Sequence, residues 1–261
     1  MTDFLNMILL AIVQGLTEFL PVSSSGHLVL FQHFLGAREG DVFFDIVLHV
    51  GTLGSVLVVY RREVLRLLKF DPPALAYVGS LALGTLPAVV VGLLFKDTIE
   101  GLFHEPVFAA VGLLATACIL FSTRLATAAN ALAEPWEPKA PSPLRAVLIG
   151  AAQACAILPG ISRSGSTIAA ALWSGLPRAE AARFSFLLSI PAISGALVLQ
   201  LMDGQAASPQ ETVRLLVAGA VAFGVGLLAI RWTALAVVQA HFWKFCFYCL
   251  VVGVAVILVL A

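Results

Sequence analysis

Six stretches of this chain, roughly residues 42–60, 74–95, 106–123, 184–202, 213–230 and 244–261, are apolar enough and long enough to cross a lipid bilayer. A membrane-spanning helix needs about 20 such residues. In water these runs would leave large apolar faces uncovered, so the chain is restricted to folds that bury them in lipid. Composition agrees: 60% of the 261 residues are hydrophobic and 11% are charged, against about 25% charged in a soluble domain. An ordinary soluble enzyme, a disordered chain and a nucleic-acid-binding protein are excluded. Fifteen basic residues balance fifteen acidic ones. Net charge therefore names no partner, and the information lies in where the charges fall.

Two further apolar stretches are interrupted. Residues 4–35 contain Pro21, Ser23, Ser24, Ser25, Gly26 and His27; residues 145–176 contain Pro159, Gly160, Ser162, Arg163, Ser164 and Gly165. The arms beside each break are about 10–17 residues long, short for a full crossing and suited to a re-entrant segment. Loop charges test this count. Arg61, Arg62, Arg66 and Lys69 predict a cytoplasmic loop after residue 60. Asp97, Glu100 and Glu105 outweigh Lys96, and Asp203 and Glu211 stand without a base, so 96–105 and 203–212 are expected outside. Arg124, Lys139 and Arg145, then Arg178 and Arg183, then Arg231 and Lys244, mark the remaining inside loops. The signs alternate without conflict for six spans and two re-entrant segments, the first entering from outside and the second from inside. Both termini then lie outside. Eight full crossings would put Arg145 and Arg178 on opposite sides.

The two breaks are related. Setting Ser23-Ser24-Ser25-Gly26 on Ser162-Arg163-Ser164-Gly165 also brings Gln14 and Gln153 to within one residue of register. Each break precedes three spans, and an odd number of spans inverts the second copy. The predicted architecture is an all-α polytopic membrane protein in an inverted-topology repeat: residues 1–124, a Pro-rich cytoplasmic linker 125–144 (Pro135, Pro138, Pro141, Pro143), and residues 145–261. In such folds broken helices from opposite faces meet inside the membrane and form the site. Pro87 and Pro191 read as kinks within spans. Cys118, Cys155, Cys246 and Cys249 all lie in apolar runs, where they are expected to act as small hydrophobes despite the C-x-x-C spacing of the last two. The N-terminal stretch lacks a basic leader and holds Gln14 and Glu18, so it does not read as a cleaved signal.

Polar and ionisable residues at membrane depth are functional candidates by default. Gln14 and Glu18 are four apart and share a helix face. A carboxylate and an amide oxygen placed so can ligate a hard cation such as Mg²⁺ or Ca²⁺, or they can brace the break. Ser23, Ser24, Ser25 and Gly26 offer hydroxyls and amides at a helix start, a phosphate-binding arrangement that also serves as a cap. His27 supplies a general acid or base, and a serine beside it can act as a nucleophile. Arg163, flanked by Ser162, Ser164 and Gly165, is costly to bury without an anion. Its partner is either a phosphate, matched in bidentate fashion, or Glu18 across the repeat interface. Asp45 is a candidate for the same cavity. His33, His49 and His104 are assigned nothing. This inventory suits phosphoryl transfer to water, on a substrate with a phosphate head and a lipid tail.

The run Gln14-Gly15-Leu16-Thr17-Glu18-Phe19-Leu20-Pro21-Val22-Ser23-Ser24-Ser25-Gly26-His27, with Pro159-Gly160-Ile161-Ser162-Arg163-Ser164-Gly165 and Phe184-Ser185-Phe186-Leu187-Leu188, resembles the undecaprenyl-diphosphate phosphatase (bacitracin-resistance) family along essentially the whole chain. The resemblance implies a multi-pass enzyme of the bacterial plasma (inner) membrane, with periplasmic termini on the topology above. Such an enzyme hydrolyses undecaprenyl diphosphate to the monophosphate and phosphate and so recycles the carrier lipid of cell-wall synthesis. It also implies dependence on Mg²⁺ or Ca²⁺. The family's acidic motif falls on Gln14 and Glu18, its serine and histidine on Ser24 and His27, and its arginine on Arg163. Many members carry Glu where this chain has Gln14, and Thr where it has Ser25; the glutamine removes one charge from any metal site. On these expectations Arg163 clamps the diphosphate with the backbone of Ser162 to Gly165. Ser24 is either nucleophile or positioning donor. The competing expectation is a polyprenyl-phosphate flippase or transporter using the same site without hydrolysis. No nucleic acid is expected as a partner, and the pattern leaves room for a homodimer.

Overall fold

The structure, a computed structural model, describes residues 2–36, 42–126, 128, 136–202 and 209–260. Among these, every regular element is helical. The first broken segment is α1 (Thr2–Thr17) and α2 (Ser24–Leu35). Three long helices follow: α3 (Val42–Val59), α5 (Pro72–Leu94) and α7 (Pro106–Ser122), with the short α4 (Arg61–Leu67) and α6 (Lys96–Leu102) between them. The second broken segment is α8 (Pro143–Cys155) and α9 (Arg163–Trp173), followed by α10 (Arg178–Met202), α11 (Pro209–Val238) and α12 (Phe245–Leu260). Helix starts obey local chemistry. Ser142 and Asp71 cap α8 and α5, and Pro72, Pro106 and Pro143 occupy first helical positions, where a missing N–H costs nothing. α5 and α10 run through Pro87 and Pro191 as single helices.

The protein is an all-α, multi-pass membrane protein. α5, α10 and α11, and α7 and α12 each taken with its adjoining 3-10 turn, are long and apolar enough to cross a membrane. The sixth expected span, α3, meets the same test when joined to α4, which bends away by 79°. The loop carrying Asp203 and the linker stretch 129–135, with Pro135, lie outside the described residues.

Side-chain and glycine contacts fix the helix directions. Gly51 of α3 lies on Gly219 of α11, and Ser55 donates to Phe223 O at 2.7 Å, so α3 and α11 run parallel. α1 follows the same direction, with Gly15 against Ala222 and Val225 and, just beyond its end, Phe19 O bonded by Thr233. α5 and α8 are likewise parallel: Ser80 donates to Pro141 O at 3.2 Å and Gly150 lies on Gly84. α7 and α12 are antiparallel, Phe121 meeting Trp243 and Ala110 meeting Gly253. Small residues at these crossings let backbones approach, which is how helices associate when lipid removes the hydrophobic driving force. The pairings α1–α11 and α5–α8 exchange when the two halves are exchanged.

One end of the molecule gathers Arg61, Arg62, Arg66, Lys69, Arg124, Lys139, Arg145, Arg178, Arg183 and Lys244. Here Arg66 bridges Asp71 and Glu137, both at 2.8 Å, and holds the Asp71 carboxyl below the usual carboxylate range. Arg183 meets Glu180 and, at 3.4 Å, Glu63. Trp136 lies under the Arg183 guanidinium and donates to Glu180. These contacts tie the linker's second half to α4 and α10. Lys96, Asp97, Glu100 and Glu105 lie at the opposite end.

The two breaks meet between these ends. Gly26 packs against Gly160, and a Cβ on Gly26 would stand 2.8 Å from the Gly160 Cα. Gly112 of α7 closes the crossing, since a Cβ there would strike the Pro159 carbonyl. Gly160 has φ +87° and no room for a side chain against Ala109 O. Irregular backbone at this depth needs partners from the protein. The carbonyls of Phe19, Leu20 and Pro21 accept from Thr233 Oγ1 (3.0 Å), Ser164 Oγ (3.3 Å) and Cys249 Sγ (3.7 Å). On the second break, Thr116 Oγ1 donates to Gly160 O at 2.8 Å and accepts from Ser162 N at 2.9 Å.

Candidate active site

The breaks repeat one local design. Ser23 Oγ accepts from Gly26 N at 3.2 Å, and Ser162 Oγ accepts from Gly165 N at 3.0 Å. In each case the hydroxyl two residues on lies 3.3 Å from the cap, Ser25 in one break and Ser164 in the other. Ser23 holds this position at φ +68°, a strained geometry for a residue with a side chain. The two helix starts lie close together, with Gly26 against Gly160 and Gly165 beside Pro21.

The residues that open these two helices, Ser24 and Arg163, converge on one carboxylate. Ser24 Oγ donates to Glu18 Oε2 at 2.7 Å, and Arg163 Nη2 donates to Glu18 Oε1 at 2.5 Å. Gln14 Nε2 adds a bond to Glu18 Oε2 at 3.0 Å, as their spacing predicts. The structural alternative foreseen for Arg163, pairing with Glu18 across the breaks, is thus realised. Two polar atoms in the cluster have no partner among the described residues: Arg163 Nη1 and Gln14 Oε1. Glu18 is deeply buried, while Ser24, Ser25 and Arg163 are part-exposed, so the cluster reaches the surface through the residues around the carboxylate.

His27 turns elsewhere. Its Nδ1 lies 2.8 Å from Ser23 O and its Nε2 lies 2.7 Å from the Tyr248 hydroxyl, with the rings stacked 5.6 Å apart. Donation from Nδ1 to the carbonyl leaves Nε2 to accept from Tyr248. The histidine that does approach Glu18 is His49, whose Nε2 lies 3.7 Å from Oε2 and whose Nδ1 bonds Asp45 O at 2.7 Å. Sequence reasoning passed over His49 and Tyr248. His49 left a trace: Asp45, His49 and Thr52 form a polar line at helical spacing along an apolar span. Tyr248 left none. Asp45 accepts from Gln32 Nε2 at 3.1 Å, on the same part-exposed side of α3 as His49.

A divalent cation finds a partial donor set. Glu18 and Gln14 Oε1, which has no partner among the described residues, would be its oxygen ligands, and no group of three or more His, Cys, Asp or Glu residues able to hold a metal occurs among the described residues. Arg163 already neutralises the carboxylate. The residues fit a cation that takes most of its ligands from a phosphate substrate, as Mg²⁺ commonly does.

Residues 7–255 match the model of the family described as bacitracin resistance protein BacA. The chain is 42% identical to the undecaprenyl-diphosphatase of Desulfatibacillum aliphaticivorans, covering 97% of this chain and 98% of the relative. It is 40% identical to the undecaprenyl-diphosphatases of Korarchaeum cryptofilum (98% and 98% covered) and Rhodopirellula baltica (99% and 98%).

Proposed function

From the premise that this chain belongs to the BacA family, we propose that it is an integral-membrane undecaprenyl-diphosphatase. It releases inorganic phosphate from undecaprenyl diphosphate and leaves undecaprenyl phosphate for reuse in cell-wall synthesis. The observation that carries the proposal is the Arg163–Glu18 pair beside Ser24, at the crossing of the two breaks. A guanidinium held by a carboxylate can exchange that partner for phosphate oxygens, and its buried Nη1 has no partner among the described residues. The first amides of α2 and α9, both at helix N-termini, add donors for the same oxygens.

In this reading the terminal phosphoryl group lies between Arg163 and the starts of α2 and α9. Attack at its phosphorus breaks the bond to the bridging oxygen, and the charge gained by the leaving lipid phosphate falls to Arg163 and the amides. Ser24 Oγ already gives its hydrogen to Glu18, so Glu18 is the base within reach for activating either Ser24 or a water in its place. For His27 to exchange a proton with substrate, Tyr248 must yield Nε2. Glu18 and Gln14 would hold Mg²⁺ or Ca²⁺ together with the diphosphate, and the cation would offset the substrate's charge.

We also propose that residues 1–124 and 145–261 are inverted copies, supported by the matched cap geometries and exchanging helix pairs. The membrane is then the plasma membrane, with the basic end cytoplasmic and both termini outside. The test is phosphate release from a C55 or C15 isoprenyl diphosphate by purified protein in detergent, with and without EDTA, beside Arg163→Ala. Release abolished by the substitution is expected. Absence of release from folded wild-type protein would overturn the proposal, and release untouched by EDTA would remove the cation from Glu18 and Gln14.

A further inference from the structure

At the basic end, where α7 stops, a cavity of about 70 Å³ opens between the 3-10 turn Thr123–Leu125, the start of α10 and the turn joining α11 to α12. Leu172, Val237 and Phe242 supply apolar wall; Arg124, Arg178 and Trp243 supply the rest of the lining used here. The volume exceeds what one water needs.

The two arginines differ from Arg66 and Arg183 at the same end. Arg66 and Arg183 are matched by carboxylates. Arg124 instead rests on the Trp243 ring at 5.3 Å, and Arg178 Nε donates to the neutral carbonyl of Ala128 at 3.1 Å. None of the described residues lining the cavity is acidic, and among the described residues no carboxylate pairs with either arginine. The exposed Arg124 and the part-buried Arg178 thus both line one apolar-walled cavity, and their planar donors match phosphate.

The surroundings indicate where the anion comes from. Trp243 is packed edge-on to Phe121 at 6.3 Å and Phe247 at 5.7 Å. Phe121, Phe247 and Leu125 are 50%, 55% and 83% exposed. An indole between lipid-facing phenyl rings at the end of two spans marks the membrane–water boundary. Basic pockets between spans at that level suit lipid head groups, and a free phosphate gains nothing from the exposed rings below.

We propose that this cavity is a second phosphate site, apart from the Glu18–Arg163 cleft, and that it takes the head-group phosphate of an anionic membrane phospholipid whose chains lie along α7 and α12. Bound there, the lipid bridges the ends of α7, α10 and α11 and steadies both halves of the chain.

The test uses the full-length protein stripped of lipid in a neutral detergent. Dioctanoyl phosphatidylglycerol, dioctanoyl phosphatidylcholine and inorganic phosphate are titrated separately, reading the melting temperature and the adducts retained in native mass spectrometry. Phosphatidylglycerol is expected to raise the melting temperature and to remain bound, and the other two to do neither at the same concentration. In Arg124→Gln/Arg178→Gln the half-saturating concentration is expected to rise on the order of ten-fold, with phosphate release from isoprenyl diphosphate unchanged. In Arg163→Ala the shift is expected to persist, separating this cavity from the catalytic cleft. If the double variant does not fold, the single Arg124→Gln and Arg178→Gln variants carry the test. An equal shift in the arginine variants, or with phosphatidylcholine, would overturn the proposal; an equal response to inorganic phosphate would overturn the lipid assignment.

Discussion

Arg163 is held by geometry as much as by charge, and the two can be separated. Lysine keeps the charge but loses the planar fork that serves Glu18 and an incoming phosphate together. Arg163→Lys is therefore expected to fold, yet to lose about 10²–10³ in kcat/KM, the scale of one oriented donor to transition-state charge. Activity within a few-fold of wild type would mean that the site needs only a cation there. Tyr248 presents the opposite case. Its hydroxyl sits on the far nitrogen of His27, so Tyr248→Phe removes a single hydrogen bond, about 0.5–1.5 kcal/mol, or roughly ten-fold in rate at most. A loss equal to that of His27→Ala in the same phosphate-release assay would instead put the tyrosine hydroxyl on the substrate. Gln14, Glu18, the serines and Arg163 were legible because polar groups in an oily run stand out without a fold. Tyr248 was not legible, because its role depends on packing 221 residues away from its partner.

At the scale of helices, Pro, Gly and Ser announced both breaks, and the structure places them where those residues fall. The short helices α4 and α6 were read as loops, because their charges masked a helical spacing that pays off only at a membrane boundary. What fills the gap in each broken segment could not be read at all. Thr116 lies in an ordinary apolar span, yet it satisfies the Gly160 carbonyl and the Ser162 N–H together. Thr116→Val keeps the shape and strands both groups. Each buried unsatisfied group costs about 1–3 kcal/mol, so Thr116→Val is expected to lower stability by several kcal/mol, whereas Thr116→Ser restores most of it. Thermal unfolding in detergent measures both; equal stability of Val and Ser variants would show that water enters the break. Gly160→Ala adds a Cβ where α7 leaves no room and where φ is +87°, so it is expected to abolish folding rather than weaken it.

Across the whole molecule, charge separation orients the fold. The end that holds Arg66, Arg183 and the linker also holds the pair of arginines around the α11–α12 turn, while Asp97, Glu100 and Glu105 sit at the other end. Basic residues favour the cytoplasmic side. His49, which approaches Glu18, comes from the half of α3 that lies away from the basic end. Orientation therefore decides which leaflet supplies the substrate, and the proposed topology makes it the outer one. Single cysteines test this on a background with Cys118, Cys155 and Cys246 replaced by alanine and Cys249 by serine, which keeps a donor for the Pro21 carbonyl. Glu100→Cys is expected to react with a membrane-impermeant maleimide in intact cells, and Lys139→Cys only after permeabilisation. The reverse pattern would turn the molecule over and make it a consumer of the inner-leaflet lipid. Labelling of both positions in intact cells would mean that the chain inserts in two orientations, each presenting the same cleft to its own leaflet.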